Sequence, residues 1–172
     1  MFTKTIIQMK KLLTIALLLL AGLTAGAQGR WTVSHREADP MKGQDARDVY
    51  IYNANGIGSL VVWDWNKADF RLITEKGMFR TWVSSGSTFV PVKVGFYDDN
   101  GNLEKMFTVN LLPEDNHMRK YIATADFYFG GRGDIKKIIK RLKSGKGFVR
   151  MVAQLYNDPD FDIKIIPYSQ QK

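Results

Sequence analysis

The chain predicts a mainly β fold, an antiparallel β-sandwich or open barrel, with one short amphipathic α-helix near the C-terminus. Three observations predict it. Short runs alternate apolar and polar residues and are rich in β-branched and aromatic side chains, the pattern of half-buried strands. Turn residues recur between these runs. Only one segment, Asp134 to Lys143, carries its apolar residues at helical spacing.

The strands follow in order. Trp31 to His35 alternates, then Asp48 to Tyr52, Leu60 to Trp65 and Phe70 to Thr74. Val90 to Tyr97 places Val90, Val92, Val94 and Phe96 on one face, and Pro91 points its start toward a sheet edge. Asn100-Gly101 supplies the positive φ angles of a tight hairpin turn, with Leu103 to Leu112 as the returning strand. Tyr121 to Phe129 reads as another strand. Phe148 to Tyr156 and Phe161 to Ile166 read as a closing hairpin around Asn157, Asp158, Pro159 and Asp160. The stretches Glu37 to Arg47 and Ser84 to Ser87 read as loops. In the helix, Ile135, Ile138, Ile139 and Leu142 form one stripe, with Asp134 as N-cap and Gly145 as the stop. A helix of this length does not hold alone in water, so the stripe must dock on the sheets.

The organisation is simple: residues 1–27 read as a signal peptide and 28–172 as a single β-sandwich domain. Lys4, Lys10 and Lys11 precede an apolar run from Leu12 to Leu23, and Ala25 and Ala27 present the small side chains that a signal peptidase reads. The run is short for a bilayer span, which needs roughly 20 apolar residues. Cleavage after Ala27 is expected, giving a secreted or periplasmic protein with no transmembrane span; an uncleaved anchor is the alternative. Cleavage lowers the formal charge from +8 to +5, because the segment holds three lysines and no acid.

The 172 residues include no cysteine and two histidines, His35 and His117. That excludes disulfide scaffolds, Cys-ligated metals, Cys nucleophiles and His-rich metal sites. No cofactor and no metal is expected. Asp98, Asn100, Asn102 and Glu104 alternate as calcium ligands do, but the later residues of a calcium loop are missing and the hairpin accounts for the pattern. His35 and His117 flank no serine elbow, and nothing places Asp64 or Asp69 across a cleft. No catalytic residue is assigned, and a small hydrolase is a distant alternative.

Two binding readings remain. Eight basic residues and one acid lie between positions 132 and 150. Arg132, Lys136, Lys137, Lys140, Arg141 and Lys143 are a candidate polyanion site, with the solvated outer face of a helix as the competing reading. No aromatics interleave with them, so nucleic acid is not expected. Arg132-Gly133-Asp134 spells an adhesion tripeptide, but Asp134 is better used by the helix. Trp63 and Trp65, two apart and so on one strand face, are a candidate glycan-stacking pair, with core packing as the competing reading.

The order of features is familiar. Trp31 opens the mature domain, followed by Leu60-Val61-Val62, Phe70-Arg71-Leu72, and a Val-x-Val strand ending at Tyr97-Asp98. The helix Asp134, Ile135, Ile138, Ile139, Leu142 follows, then Gly147-Phe148-Val149. Over most of residues 31–166 this resembles small exported β-sandwich proteins of Gram-negative bacteria, of the invasion-associated locus B-like and type VI secretion-associated periplasmic kind. Members typically carry cysteines, which this chain lacks. The resemblance implies an exported, non-catalytic module, and transfers no catalytic residue. The expected function is binding an unidentified protein partner or supporting an envelope assembly. The alternative is an envelope polyanion or a glycan.

Overall fold

The structure is a computed structural model that describes residues 29–114, 120–123, 132–156 and 160–171. The segment expected to be a signal peptide lies outside the described residues. So do His117, the 124–129 part of the strand predicted for Tyr121 to Phe129, and Asn157, Asp158 and Pro159.

The alternating runs become antiparallel strands: β1 (Arg30–Arg36), β2 (Arg47–Ala54), β3 (Gly58–Asp64) and β4 (Asp69–Thr74). They continue as β5 (Trp82–Ser84), β6 (Ser87–Tyr97), β7 (Leu103–Glu114), β8 (Lys120–Ala123), β9 (Phe148–Ala153) and β10 (Phe161–Ile165). The helix α1 (Arg132–Ser144) stands between β8 and β9, so two strands follow it. Short 3-10 turns occur at Pro40–Lys42 and Tyr168–Gln170.

The strands are joined in the order β1-β2-β3-β4-β8-β7-β6-β9-β10, with β5 beside β6. β7 belongs to both halves of this path. Its residues Leu103 to Leu111 pair with β6, and Leu112 to Glu114 pair with β8. The fold is therefore mainly β, two antiparallel sheets sharing one strand and enclosing one core.

Period-two alternation decides what enters that core. Leu60 and Val62, Phe70 and Leu72, Val90, Val92 and Val94, Val149 and Met151, and Phe161, Ile163 and Ile165 are all buried and belong to one cluster. Ile135, Ile138, Ile139 and Leu142 join the same cluster, as their helical spacing predicts.

The two ends of the path meet in a seam. The Trp31 indole Nε1 donates to the Ile166 carbonyl at 2.6 Å, and the Tyr52 hydroxyl donates to the Lys164 carbonyl at 2.9 Å. The Gln171 side chain takes the Trp31 N–H and returns its own N–H to the Trp31 carbonyl, in place of a neighbouring strand. This satisfies part of an edge that would otherwise be open to pairing.

Four local expectations change. Pro91 lies inside a strand paired on both sides, not at a sheet edge. β5 pairs with Ser87 to Phe89 and β9 pairs from Val92 onward, so Pro91 sits in the gap between the two partners. There the strand tolerates a residue without an N–H. The Asn100-Gly101 turn has only one positive φ, at Gly101 (84°). Gly101 N–H bonds the Asp98 carbonyl, giving a three-residue loop with a left-handed glycine at its end. Asp134 is not the N-cap, because the helix starts at Arg132; its carboxylate sits in the first turn and pairs with Lys137 at 2.8 Å. Finally, Ser84 to Ser87 is not a free loop. Ser85 (φ 51°) and Gly86 (φ 78°) make a two-residue turn of mirror-image type between β5 and β6. Gly145 does end the helix, with its N–H on the Arg141 carbonyl at 2.9 Å.

Candidate functional site

The outer faces of the two sheets carry the polar chemistry, and they differ. The aromatic pair expected on β3 is split between the inside and the outside. Val62 pairs with Phe70 and Asp64 with Asp69, so β3 advances by one more residue than β4, and Trp63 is the extra one. Such a β-bulge breaks the alternation and re-aims side chains. Trp65 consequently turns inward, with ring centroids 5.9 Å from Trp31, 5.2 Å from Tyr50 and 6.5 Å from Tyr168. It packs against the core at the seam and forms no platform with Trp63.

Trp63 faces outward and meets three arginines. The guanidinium carbons of Arg36, Arg71 and Arg47 lie 4.3, 4.5 and 4.8 Å from its ring centroid. They come from β1, β4 and β2. Arg36 and Arg47 are directly opposite one another in the β1–β2 ladder, and both are exposed. Asp69 lies in the same group. Burial raises its carboxyl pKa, against the pull of Arg71 and Arg47.

The basic helix is divided in its roles. Lys136, Lys140 and Lys143 are exposed and fall on one stripe. Lys137 is exposed but bound to Asp134, a hydrogen bond that raises its pKa. Arg141 is structural. It donates to the Tyr97 carbonyl at 2.8 Å, pairs with Glu104, and lies over the Phe96 ring, with only 19 % of its side chain exposed. It therefore bolts the helix to the β6–β7 hairpin and does not join the candidate polyanion group. The Arg132 side chain lies outside the described residues.

The residues considered for metal or acid–base chemistry are otherwise engaged. Asp98 accepts from Asn100 N–H, Asn102 N–H and the Asn102 side chain, at 2.8–3.0 Å, and the Asn102 side-chain bond is the main cause of its lowered pKa. Asp64 caps the next turn through Asn66 and Lys67 N–H. His35 pairs with Asp48 at 2.9 Å on a mostly exposed strand end. By the ladder register, His35 and Asp48 face the Tyr50 side of the sheet, while Asp69 faces the Arg47 side. The sheet separates that imidazole from Asp69.

One feature went unpredicted. A cleft of about 250 Å³ opens on the outer face of the second sheet, beside β5. Arg80, Trp82, Pro91, Lys93, Thr108, Val152, Gln154 and Asp160 line it. Trp82 is 48 % exposed, and Arg80 lies 5.3 Å from its ring centroid. The cleft wall is held by backbone pairing. Arg80 N–H bonds the Gln154 carbonyl at 2.8 Å, and Tyr156 N–H bonds the Met78 carbonyl at 3.0 Å. The Thr81 and Tyr156 hydroxyls meet at 3.1 Å. A large, half-bared indole beside convergent donors and acceptors suits a polar ligand with an apolar face. The local signal was Ser85-Gly86 between two β-prone runs, which marks a two-residue hairpin and so an exposed Trp82 on its first strand.

Among the described residues, no helix is long and apolar enough to cross a membrane. Comparisons with protein-family models, curated proteins and solved structures find no match to this chain.

Proposed function

We propose that the protein is an exported, non-catalytic binding module that takes a glycan chain in the cleft beside Trp82. The observation that carries this reading is the 48 % exposure of Trp82 at the rim of a cleft that combines polar side chains with the apolar surfaces of Pro91 and Val152. Burying that indole face costs the free protein nothing in packing and is gained back on a sugar ring's C–H face. Lys93, Thr108, Gln154 and Asp160 are the right chemistry for ring hydroxyls. Export is supported by the basic, apolar and small-residue order of segment 1–27, and by the resemblance to exported β-sandwich modules. An envelope setting follows from the same two supports.

A second reading, a protein partner, is favoured by a separate observation. Among the described residues β5 pairs with β6 alone, and its Val83 is 73 % exposed. An extended segment of a partner could add a strand there.

Screening the protein on a glycan array, followed by calorimetry on the sugars retained, tests the first reading. Trp82→Ala is expected to weaken retained sugars at least about tenfold, the usual penalty for removing a central tryptophan from an interface. Its melting curve should match the parent, since the ring is half-exposed. Sugars held equally well by the variant, or no sugar retained by the parent, would remove the glycan reading. Capture of a protein that Val83→Lys abolishes would then favour the second.

A further inference from the structure

We propose that the arginines around Trp63 form a second binding site, on the opposite sheet from the Trp82 cleft, for a ligand carrying closely spaced phosphate groups. Arg36 and Arg47 are directly opposed across the β1–β2 ladder, and like charges in that position destabilise a hairpin. Arg71 adds a third charge from β4. Since all three guanidinium carbons lie 4.3–4.8 Å from one ring centroid, no two can be more than about 9 Å apart. That is close to a physiological Debye length, so salt does not remove their repulsion.

The indole face offsets part of this cost through cation–π attraction. Asp69 offsets another part. Asp64 acts on Asp69 in turn, and Arg71 has interactions of its own, so the positive charge open to a ligand is that of the exposed Arg36 and Arg47. Arg36 and Arg47 remain exposed, and each presents a planar fork of donors. Forks gathered on a rigid aromatic plate, on paired strands, are preorganised for the oxygens of neighbouring phosphates. The bulge at Trp63 is what brings the plate to the outer face, so the site is built into the backbone.

The exposed lysines of the helix are the natural comparison. Lys136, Lys140 and Lys143 share one stripe, but no aromatic plate lies among them in the described contacts. They are flexible point charges, whereas the arginine group is held in place.

The test titrates inorganic tripolyphosphate into the protein at about 20 mM salt, and in parallel measures sedimentation with phosphatidylglycerol vesicles. Two variants are compared with the parent, Arg36→Gln/Arg47→Gln and Lys136→Gln/Lys140→Gln. All four side chains are exposed, so both variants should fold. The expected result is tripolyphosphate binding that falls at least about tenfold in the arginine variant and stays within about twofold in the lysine variant. Vesicle binding alone, lost in the arginine variant, also supports the site and names a lipid headgroup as the phosphate source. Absence of binding to either probe would overturn the proposal. So would binding that the arginine variant retains. An independent readout uses ionic quenchers. The Trp63 fluorescence, taken as the difference between the parent and Trp63→Phe, should be quenched by iodide more strongly than by caesium, and the arginine variant should lose that preference.

Discussion

Replacing Trp31 with alanine is expected to destabilise the protein by about 3–5 kcal/mol, the range for deleting a buried aromatic ring. Trp31 is 3 % exposed and sits where the two ends of the strand path meet. Its ring packs edge-on against Tyr52 at 5.3 Å and Tyr168 at 5.9 Å, and its indole N–H holds the Ile166 carbonyl. Alanine would remove three effects together: apolar burial, aromatic packing and the bond that joins β1 to the chain after β10. Trp31→Phe separates them. It keeps a ring but leaves Ile166 without its donor, so the loss should be smaller, about 1–3 kcal/mol. Urea unfolding of the three proteins measures both steps. Equal stability of Trp31→Ala and the parent would mean that the seam is not closed as described.

Leu142→Ala is expected to cost about 2–5 kcal/mol, and Ile138→Asp to prevent folding. Both side chains are fully buried beneath a helix of 13 residues. Such a helix draws its stability from the face it docks, not from its own hydrogen bonds. Its outward anchors support this. Arg141 holds Tyr97 and Glu104, and Gln170 donates to the Gly145 carbonyl at 2.9 Å. Helix and sheet should therefore melt together in circular dichroism. A helical signal lost well before the β signal in the parent, or an Ile138→Asp protein with a normal melt, would show that the helix is an appendage.

The strands of this fold were legible because their chemistry is local. Val90, Val92 and Val94 alternate with Pro91 and Lys93 in plain view, and the stripe from Ile135 to Leu142 needs only about two turns of a helix to be seen. What stayed hidden depends on neighbours distant in the chain. The bulge that parts Trp63 from Trp65 arises from how β3 pairs with β4, and the two tryptophans look equivalent without it. Pro91 looks like an edge residue until β5 and β9 are seen to share one side of β6. β5 escaped notice because its three residues are all exposed and show no burial alternation. The arginine group was out of reach for the same reason: positions 36, 47 and 71 converge only when three strands are laid side by side. On the helix, charge counting treated Arg141 like its neighbours, whereas its i-spacing from the apolar stripe puts it at the flank, within reach of Glu104.

The aromatic residues divide into an interior seam around Trp31 and an outward-facing indole at Trp82. Indole N–H exchange into heavy water, followed by NMR on the 15N-labelled protein with each tryptophan assigned by substitution, tests this division most directly. The Trp31 resonance should decay only as slowly as the core amides of β3 and β6, and the Trp82 resonance should vanish within the first spectrum. A Trp31 N–H that exchanges at once, or a Trp82 N–H that outlasts it, would contradict both the closed seam and the open cleft.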